Sequence, residues 1–162
     1  GTLIHGLLQR LPEIAPARRE EAGLSWLRRQ GVTHDGAAAL LEEAMGVLDD
    51  PQFSPAFGPD SRAEAPIVAT IKGRAVRGVI DRLIVRGTDV LAIDFKTDRP
   101  PPADAADAAQ AYVLQMALYR ESLRQALPGR EVRCAFVWTF APRLTPLSDA
   151  LMDESLSRAG LD

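Results

Sequence analysis

The sequence predicts an α/β fold of the α+β kind, with N-terminal helices, a three-strand antiparallel meander, a long helix and a fourth strand added by a crossover. Helical periodicity dominates residues 1–50, whereas residues 64–96 contain three apolar runs rich in β-forming residues and separated by short turns. Short links favour antiparallel pairing of these strands. The helical pattern between the third and fourth strands permits a parallel crossover.

Length and composition suit one soluble globular domain. The chain has 162 residues, of which 46% are hydrophobic and 25% are charged. No apolar run approaches the roughly 20 residues that cross a bilayer and no signal peptide is visible, so we expect a cytoplasmic protein with no membrane partner. Because the chain starts at Gly1 and enters a helical pattern at once, we expect a piece of a longer protein.

The N-terminal part is predicted to contain three helices. Thr2 is positioned to cap a first helix over residues 3–11, and Pro12 lies just past its end. Residues 16–30 and 35–48 show the apolar spacing of two more helices. Prolines and glycines then predict an irregular connection over residues 49–62.

The remaining elements follow from apolar runs and turn residues. Strands are predicted over residues 64–71, 75–85 and 91–96. A long helix is predicted over residues 105–127, a fourth strand over residues 131–140 and a short helix over residues 148–158.

Asp94 and Lys96 interrupt the end of the apolar third strand. They are two residues apart, so both side chains leave the strand by the same face, while Phe95 points into the core. One interpretation is an ion pair that is solvated at a strand end. The other is a metal-dependent nuclease site, in which the carboxylate holds a hard cation and the lysine acts on the attacking water or the phosphate.

Asp81 and His5 are the other candidate ligands. Asp81 lies within the apolar second strand, where its burial needs compensation by a metal ion, by Arg82 or by another cation. A single hairpin turn separates its strand from that of Asp94, so the two carboxylates can lie side by side. His5 borders the apolar stripe of the first helix and is either a hydrogen-bonded histidine or a metal or phosphate ligand.

The long helix carries a polar and aromatic stripe. Tyr112, Gln115, Tyr119 and Ser122 recur at helical spacing, so they form either the rim of the core or the lining of a site.

Charge and cysteine content limit the other possibilities. The net charge is −3, and this balance offers no basic surplus for nucleic acid. The single cysteine, Cys134, excludes disulfides, a cysteine zinc site and a four-cysteine iron–sulfur cluster within the chain.

Four segments together resemble the PD-(D/E)xK nucleases, and among them the RecB-like branch. They are residues 1–12, 78–83, 93–97 and 115–119, and they occur in the family's order over nearly the whole chain. The pattern is most similar to the C-terminal nuclease domain of AddA-type helicase–nucleases. It departs from the AddB-type relatives, which carry an iron–sulfur cluster, because the cysteines are missing.

The resemblance implies a restriction-endonuclease-like core and a set of site residues. His5, Asp81 and Asp94 would ligate Mg²⁺, for which Mn²⁺ would substitute, with the Phe95 backbone carbonyl assisting. Lys96 would position the water or stabilise charge. The catalytic set would comprise Asp81, Asp94, Lys96, Gln115 and Tyr119, the last two steadying the site or contacting the DNA backbone. Glu64 would support the site.

The function implied is metal-dependent hydrolysis of DNA phosphodiester bonds during double-strand-break processing and recombinational repair. The domain would span residues 1–162, with a helical part over 1–50, a catalytic core over 64–140 and a C-terminal tail over 141–162. Its partners would be DNA, chiefly single-stranded, the helicase part of the parent chain and an AddB-like subunit. ATP use would belong to that parent chain. The alternative is a non-catalytic module of the same fold that holds DNA or docks a partner.

Overall fold

The computed structural model describes residues 1–161 and places a five-stranded sheet between two groups of helices. The helices are α1 (Thr2–Arg10), α2 (Pro16–Arg29), α3 (His34–Leu48), α4 (Gln110–Ala126) and α5 (Asp149–Arg158). The strands are β1 (Ser61–Ile71), β2 (Arg74–Arg86), β3 (Asp89–Lys96), β4 (Glu131–Trp138) and β5 (Arg143–Leu147).

The strands lie in the sheet in their chain order, from β1 to β5. β1, β2 and β3 pair antiparallel, β4 pairs parallel to β3, and β5 pairs antiparallel to β4. Because α4 connects the parallel pair, the predicted meander and crossover are both confirmed.

Each face of the sheet is covered by its own apolar core. One core joins the sheet to α1, α2 and α3, and we call it the α1–α3 core; Ile93 and Phe95 of β3 belong to it. The other, the α4–α5 core, contains Ala92 of β3 and Phe136 of β4. Successive residues of β3 therefore enter opposite cores, as the alternation of side chains along a strand requires.

The start of α1 differs from the prediction. Thr2 is the first residue of the helix rather than its cap, and Gly1 occupies the N-cap position without a side-chain hydrogen bond. At the other end, α1 stops at Arg10, one residue before its predicted end, and Leu11–Glu13 forms a short 3-10 turn.

The long helix also begins later than predicted. Residues 105–107 form a 3-10 turn, Ala108 is extended, and α4 starts only at Gln110. Ala105 and Ala108 are both buried, so packing of this segment onto the sheet prevails over the helix propensity of its alanines.

The sheet extends beyond the predicted catalytic core at both ends. Ser61 starts β1 within the predicted connection, which also contains a 3-10 segment, Pro51–Phe57. The predicted C-terminal tail contributes β5, a strand that sequence analysis missed. β5 lies at the sheet edge, where its residue Pro146 is tolerated because one side of an edge strand makes no ladder hydrogen bonds.

Among residues 1–161, no helix combines the length and the apolar character needed to cross a membrane.

Candidate active site

The carboxylate of Asp94 and the ammonium of Lys96 meet at the end of β3. Lys96 Nζ lies 2.7 Å from Asp94 Oδ2, and the two side chains are 11% and 5% exposed. Apart from Lys96, Asp94 Oδ2 has no hydrogen-bond partner among the described residues. This pair is therefore not the solvated ion pair of the first interpretation, and its burial needs compensation from its surroundings.

Asp81 lies on β2 beside this pair. The β2–β3 ladder begins at Arg82 opposite Ile93, which places Asp81 one step beyond the ladder and next to Asp94. Asp81 Oδ2 accepts a hydrogen bond of 2.8 Å from the Phe95 backbone N–H. The predicted neighbourhood of the two carboxylates is thus present in the structure.

The strand is irregular at Asp81. Ile80 and Leu83 both pack against the α4–α5 core, whereas Ile84 enters the α1–α3 core. Strict alternation would place Ile80 and Ile84 on one face, so the alternation shifts between them. On β1, Glu64 stands at this level without a partner in the β1–β2 register and has a φ of 50°. The irregularity lets Asp81 face α1 while Ile80 and Leu83 keep their packing against the α4–α5 core.

His5 reaches the site from α1. Its Nδ1 lies 3.6 Å from Asp81 Oδ1, and the imidazole is 31% exposed. The imidazole also contacts the Phe95 ring edge to face, with the ring centroids 6.1 Å apart. His5 therefore lies beside Asp81 and Phe95, and its role as a metal ligand stays a prediction.

A chain of hydrogen bonds connects Lys96 to α4. Lys96 Nζ donates to Gln115 Oε1 at 3.2 Å, and Gln115 Nε2 donates to Tyr119 Oη at 3.0 Å. Tyr119 Oη in turn donates to the backbone carbonyl of Val79 at 3.0 Å. Gln115 thus contacts the lysine directly and Tyr119 contacts Gln115, while their role in catalysis stays a prediction.

Aromatic rings complete the surroundings of the ammonium. Lys96 Nζ lies 3.8 Å from the ring centroid of Tyr112 and 5.8 Å from that of Phe136. Such contacts are worth roughly 0.5–2 kcal/mol each, depending on desolvation. The predicted stripe of α4 therefore lines the site through Tyr112, Gln115 and Tyr119, whereas Ser122 Oγ donates to the Leu118 carbonyl of its own helix.

Arg82, considered as compensation for Asp81, and Glu64, considered as a support of the site, lie in different places. Arg82 turns away from Asp81, and its Nη2 donates to the Leu8 carbonyl of α1 at 2.7 Å. It therefore ties β2 to α1 and makes no ion pair with its neighbour. Glu64 is exposed and borders the same groove as His5 and Asp81.

Burial and neighbouring charges shift the pKa values of two site residues. Burial raises the pKa of Asp94, and the charge of Asp81 raises it further, against the opposing effects of Lys96 and His5. Burial lowers the pKa of His5, but the hydrogen bond and charge of Asp81, together with the charge of Asp94, raise it overall. Both shifts indicate an arrangement in which an added cation would be stabilised.

The comparisons with known proteins decide the family. The PD-(D/E)XK nuclease superfamily matches residues 1–152 of the chain. The chain belongs to this superfamily.

Two individual proteins show a more limited similarity. An ATP-dependent helicase/nuclease subunit from Pelotomaculum thermopropionicum (strain DSM 13744 / JCM 10971 / SI) is 35% identical over 69 residues, which cover 43% of this chain. The matched stretch makes up 5% of that relative's length. A solved structure named "Crystal structure of SSO0001" is 16% identical and covers 95% of this chain and 72% of its own, with a TM-score of 0.37, too low to relate the two folds.

The geometry of the site shows whether its residues fit a divalent metal ion. Within residues 1–161, no group of three or more His, Cys, Asp and Glu side chains lies close enough to hold an ion as placed. The donor set is nonetheless suitable, because buried Asp94 Oδ2 has no hydrogen-bond partner in the described structure apart from Lys96 and because His5 Nδ1 lies 3.6 Å from Asp81 Oδ1. Carboxylate and carbonyl oxygens are the ligands of Mg²⁺ and Mn²⁺, so these residues fit such a cation.

Gly78 is a site residue whose role sequence reasoning missed. A Cβ at this position would lie 2.6 Å from Cε1 and 2.7 Å from Oη of Tyr119. The absent side chain therefore leaves the space that the tyrosine ring occupies on β2. The signal was present, since Gly78 stands in a strand three residues before Asp81, and a glycine inside a strand often marks a close approach.

Proposed function

We propose that this chain is the nuclease domain of a helicase–nuclease and hydrolyses DNA phosphodiester bonds with the help of a divalent cation. The observation that carries the proposal is the meeting of Asp81 and Asp94 from adjacent strands, with Lys96 Nζ 2.7 Å from Asp94 Oδ2. Membership of the PD-(D/E)XK superfamily supports this chemistry.

His5, Asp81, Asp94 and the Phe95 carbonyl would hold Mg²⁺, or Mn²⁺ in its place. When bound, such an ion polarises a phosphate oxygen and lowers the pKa of a coordinated water. The irregularity at Asp81 turns one carboxylate toward α1, while Asp94 stays on the α4 side. A cation held by both acids would therefore be bound from two strands.

Lys96 would act on the phosphate. An ammonium has three N–H donors, and Gln115 takes one of them. A remaining donor can contact a non-bridging phosphate oxygen or orient the attacking water, where charge develops in the transition state. The aromatic rings of Tyr112 and Phe136 stabilise the charged form of the lysine in this partly buried position.

The partial likeness to a helicase/nuclease supports a proposal for the biological setting. We propose that the parent chain supplies the helicase and that single-stranded DNA is delivered to this domain during double-strand-break processing and recombinational repair. An AddB-like subunit would be the protein partner.

The test is cleavage of an end-labelled single-stranded oligonucleotide in Mg²⁺, in Mn²⁺ and in excess chelator. We expect cleavage by the parent protein with either cation and none in chelator. Asp94→Ala and Lys96→Ala should abolish cleavage while circular dichroism shows an unchanged fold.

The chain offers a matched control, because its other lysine, Lys72, lies exposed in the turn between β1 and β2. Lys72→Ala should cleave like the parent protein. Full cleavage by a folded Lys96→Ala protein would contradict the mechanism. A parent protein that binds DNA but cleaves with neither cation would favour the non-catalytic module instead.

A further inference from the structure

A polar groove runs from the carboxylate site across α1 to α2. We call it the α1–α2 groove; it is lined by His5 and Asp81 at the site, by Thr2 and Gln9 of α1 along its floor, and by Arg10 and Trp26 at its far end. Most of the side chains that line it are polar. Among the described residues that line it, Trp26 has the one large aromatic side chain.

Trp26 is held in a fixed place against α1. A Cβ on Gly6 would lie 2.5 Å from Cη2 of the indole, so only a glycine allows this close approach. The guanidinium of Arg10 lies over the ring, 5.0 Å from its centroid. Arg10 Nη1 donates to the Gly6 carbonyl at 3.1 Å and to Gln9 Oε1 at 3.0 Å, which fixes the guanidinium as well.

The charge of Arg10 is available to a ligand. Within residues 1–161 the contacts of its guanidinium are with a carbonyl, an amide oxygen and the indole ring and not with a carboxylate, and the residue is exposed. On the far side of Arg10 and Trp26 lies a second depression, which is bordered by Arg18 and Arg29. Glu21 is the one acidic residue among the described residues that line it. The chain is acidic overall, so this concentration of cations beyond the groove is a local feature.

We propose that Trp26 and Arg10 form a subsite for one nucleotide of single-stranded DNA, which enters past Arg18 and Arg29 and follows the groove to Asp81. This inference rests on the proposed function and adds the path of the strand. An indole and a guanidinium both stack on unpaired bases, and arginine also pairs with phosphate. A base inside a duplex has no free face for such stacking, so the subsite selects single strands.

Intrinsic fluorescence can report on this subsite alone. The chain has two tryptophans, and the other one, Trp138, is fully buried, with its Nε1 donating to Thr145 Oγ1. Quenching by an added oligonucleotide must therefore come from Trp26. We would titrate a short oligodeoxythymidine into the protein at low salt, with Ca²⁺ as a cation that does not support cleavage, and repeat the titration with an abasic oligonucleotide.

We expect the thymidine oligonucleotide to quench the fluorescence and the abasic one to leave it nearly unchanged. Trp26→Leu, which removes the aromatic ring, should abolish the quenching and weaken binding, measured by anisotropy of a labelled oligonucleotide. Loss of one stacked base corresponds to roughly a ten-fold change. Arg10→Gln should weaken binding to a similar extent, whereas Arg28→Gln, the same charge change at an exposed position of α2 outside the groove, should not.

Binding without quenching would overturn the subsite, as would the absence of any binding at low salt. Unchanged affinity in both Trp26→Leu and Arg10→Gln would do the same. If Trp26→Leu fails to fold, Arg10→Gln with the thymidine and abasic oligonucleotides still decides the matter. A protein that cleaves in Mg²⁺ without quenching refutes the subsite and keeps the proposed function, whereas quenching without cleavage keeps the subsite and refutes the proposed function.

Discussion

Replacing Gly78 by alanine should damage the site through Tyr119. The new Cβ would lie 2.6 Å from Cε1 of the ring, where ordinary contacts begin at 3.4 Å. Overpacking of this kind costs about 1–3 kcal/mol, and losing the hydrogen bond from Tyr119 to the Val79 carbonyl adds about 0.5–1.5 kcal/mol. An alanine in a strand recovers about 0.5–1 kcal/mol of backbone entropy, so we expect a net loss of about 1–3 kcal/mol.

A double-mutant cycle isolates the cause. Tyr119→Leu removes the ring atoms that the new Cβ would meet, so Gly78→Ala should cost less than about 0.5 kcal/mol in that background. Free energies of unfolding from urea denaturation provide the measurement. Gly46→Ala is the matched control. Gly46 lies within α3, and its new Cβ would be 3.7 Å from Pro142, so this substitution should be neutral or stabilising.

Cleavage provides a second measurement on the same proteins. Displacement of Tyr119 releases Gln115 and, with it, one hydrogen bond to Lys96. We expect the cleavage rate of Gly78→Ala to fall by about ten-fold, the effect of losing an interaction worth about 1.4 kcal/mol in the transition state. An equal loss of stability in both backgrounds would refute the steric account.

Three further predictions concern the cation, the thiol and DNA affinity. Asp81→Asn should raise the Tm of the metal-free protein, because it removes a charge that raises the pKa of Asp94, and should reduce the rise in Tm caused by Mn²⁺. An equal Mn²⁺ effect in both proteins would exclude Asp81 as a ligand. Burial raises the pKa of the Cys134 thiol to about 12, so a thiol reagent at pH 8 should react only after unfolding; rapid reaction of the native protein would contradict this. With 22 acidic and 19 basic residues, the isolated chain should bind oligonucleotides weakly and lose affinity steeply with salt, whereas sub-micromolar binding at physiological salt would point to a stronger basic surface.

Much of the site could be predicted from the sequence because its residues break local patterns. Asp81 and Asp94 stand inside apolar strands, where burial of a carboxylate is costly without compensation. A single turn between their strands predicts that they are neighbours, and the β2–β3 register agrees. The helical spacing of Tyr112, Gln115 and Tyr119 likewise predicts one shared face. Their catalytic and metal-binding roles stay predictions.

Other features depend on packing that no local pattern reveals. Thr2 has the chemistry of a cap but lies inside α1, and the buried Ala105 delays the start of α4. Pro146 conceals β5, because a proline weakens any strand prediction unless the strand is known to lie at an edge. The close approaches of Gly6 to Trp26 and of Gly78 to Tyr119 join elements far apart in the chain, and only the folded structure brings them together.

A ring of polar contacts around Lys96 fixes the relative positions of β2 and β3. It leads from Asp94 through Lys96, Gln115 and Tyr119 to the Val79 carbonyl on β2. Two residues further along β2, Asp81 returns to β3 through the Phe95 N–H. Each acid is thereby connected to the other both by the sheet and by α4. The irregularity at Asp81 is tolerated because α4 fixes the relative position of β2 and β3 where their ladder has ended. A substitution at Gly78 should therefore affect catalysis, even though this residue carries no functional group.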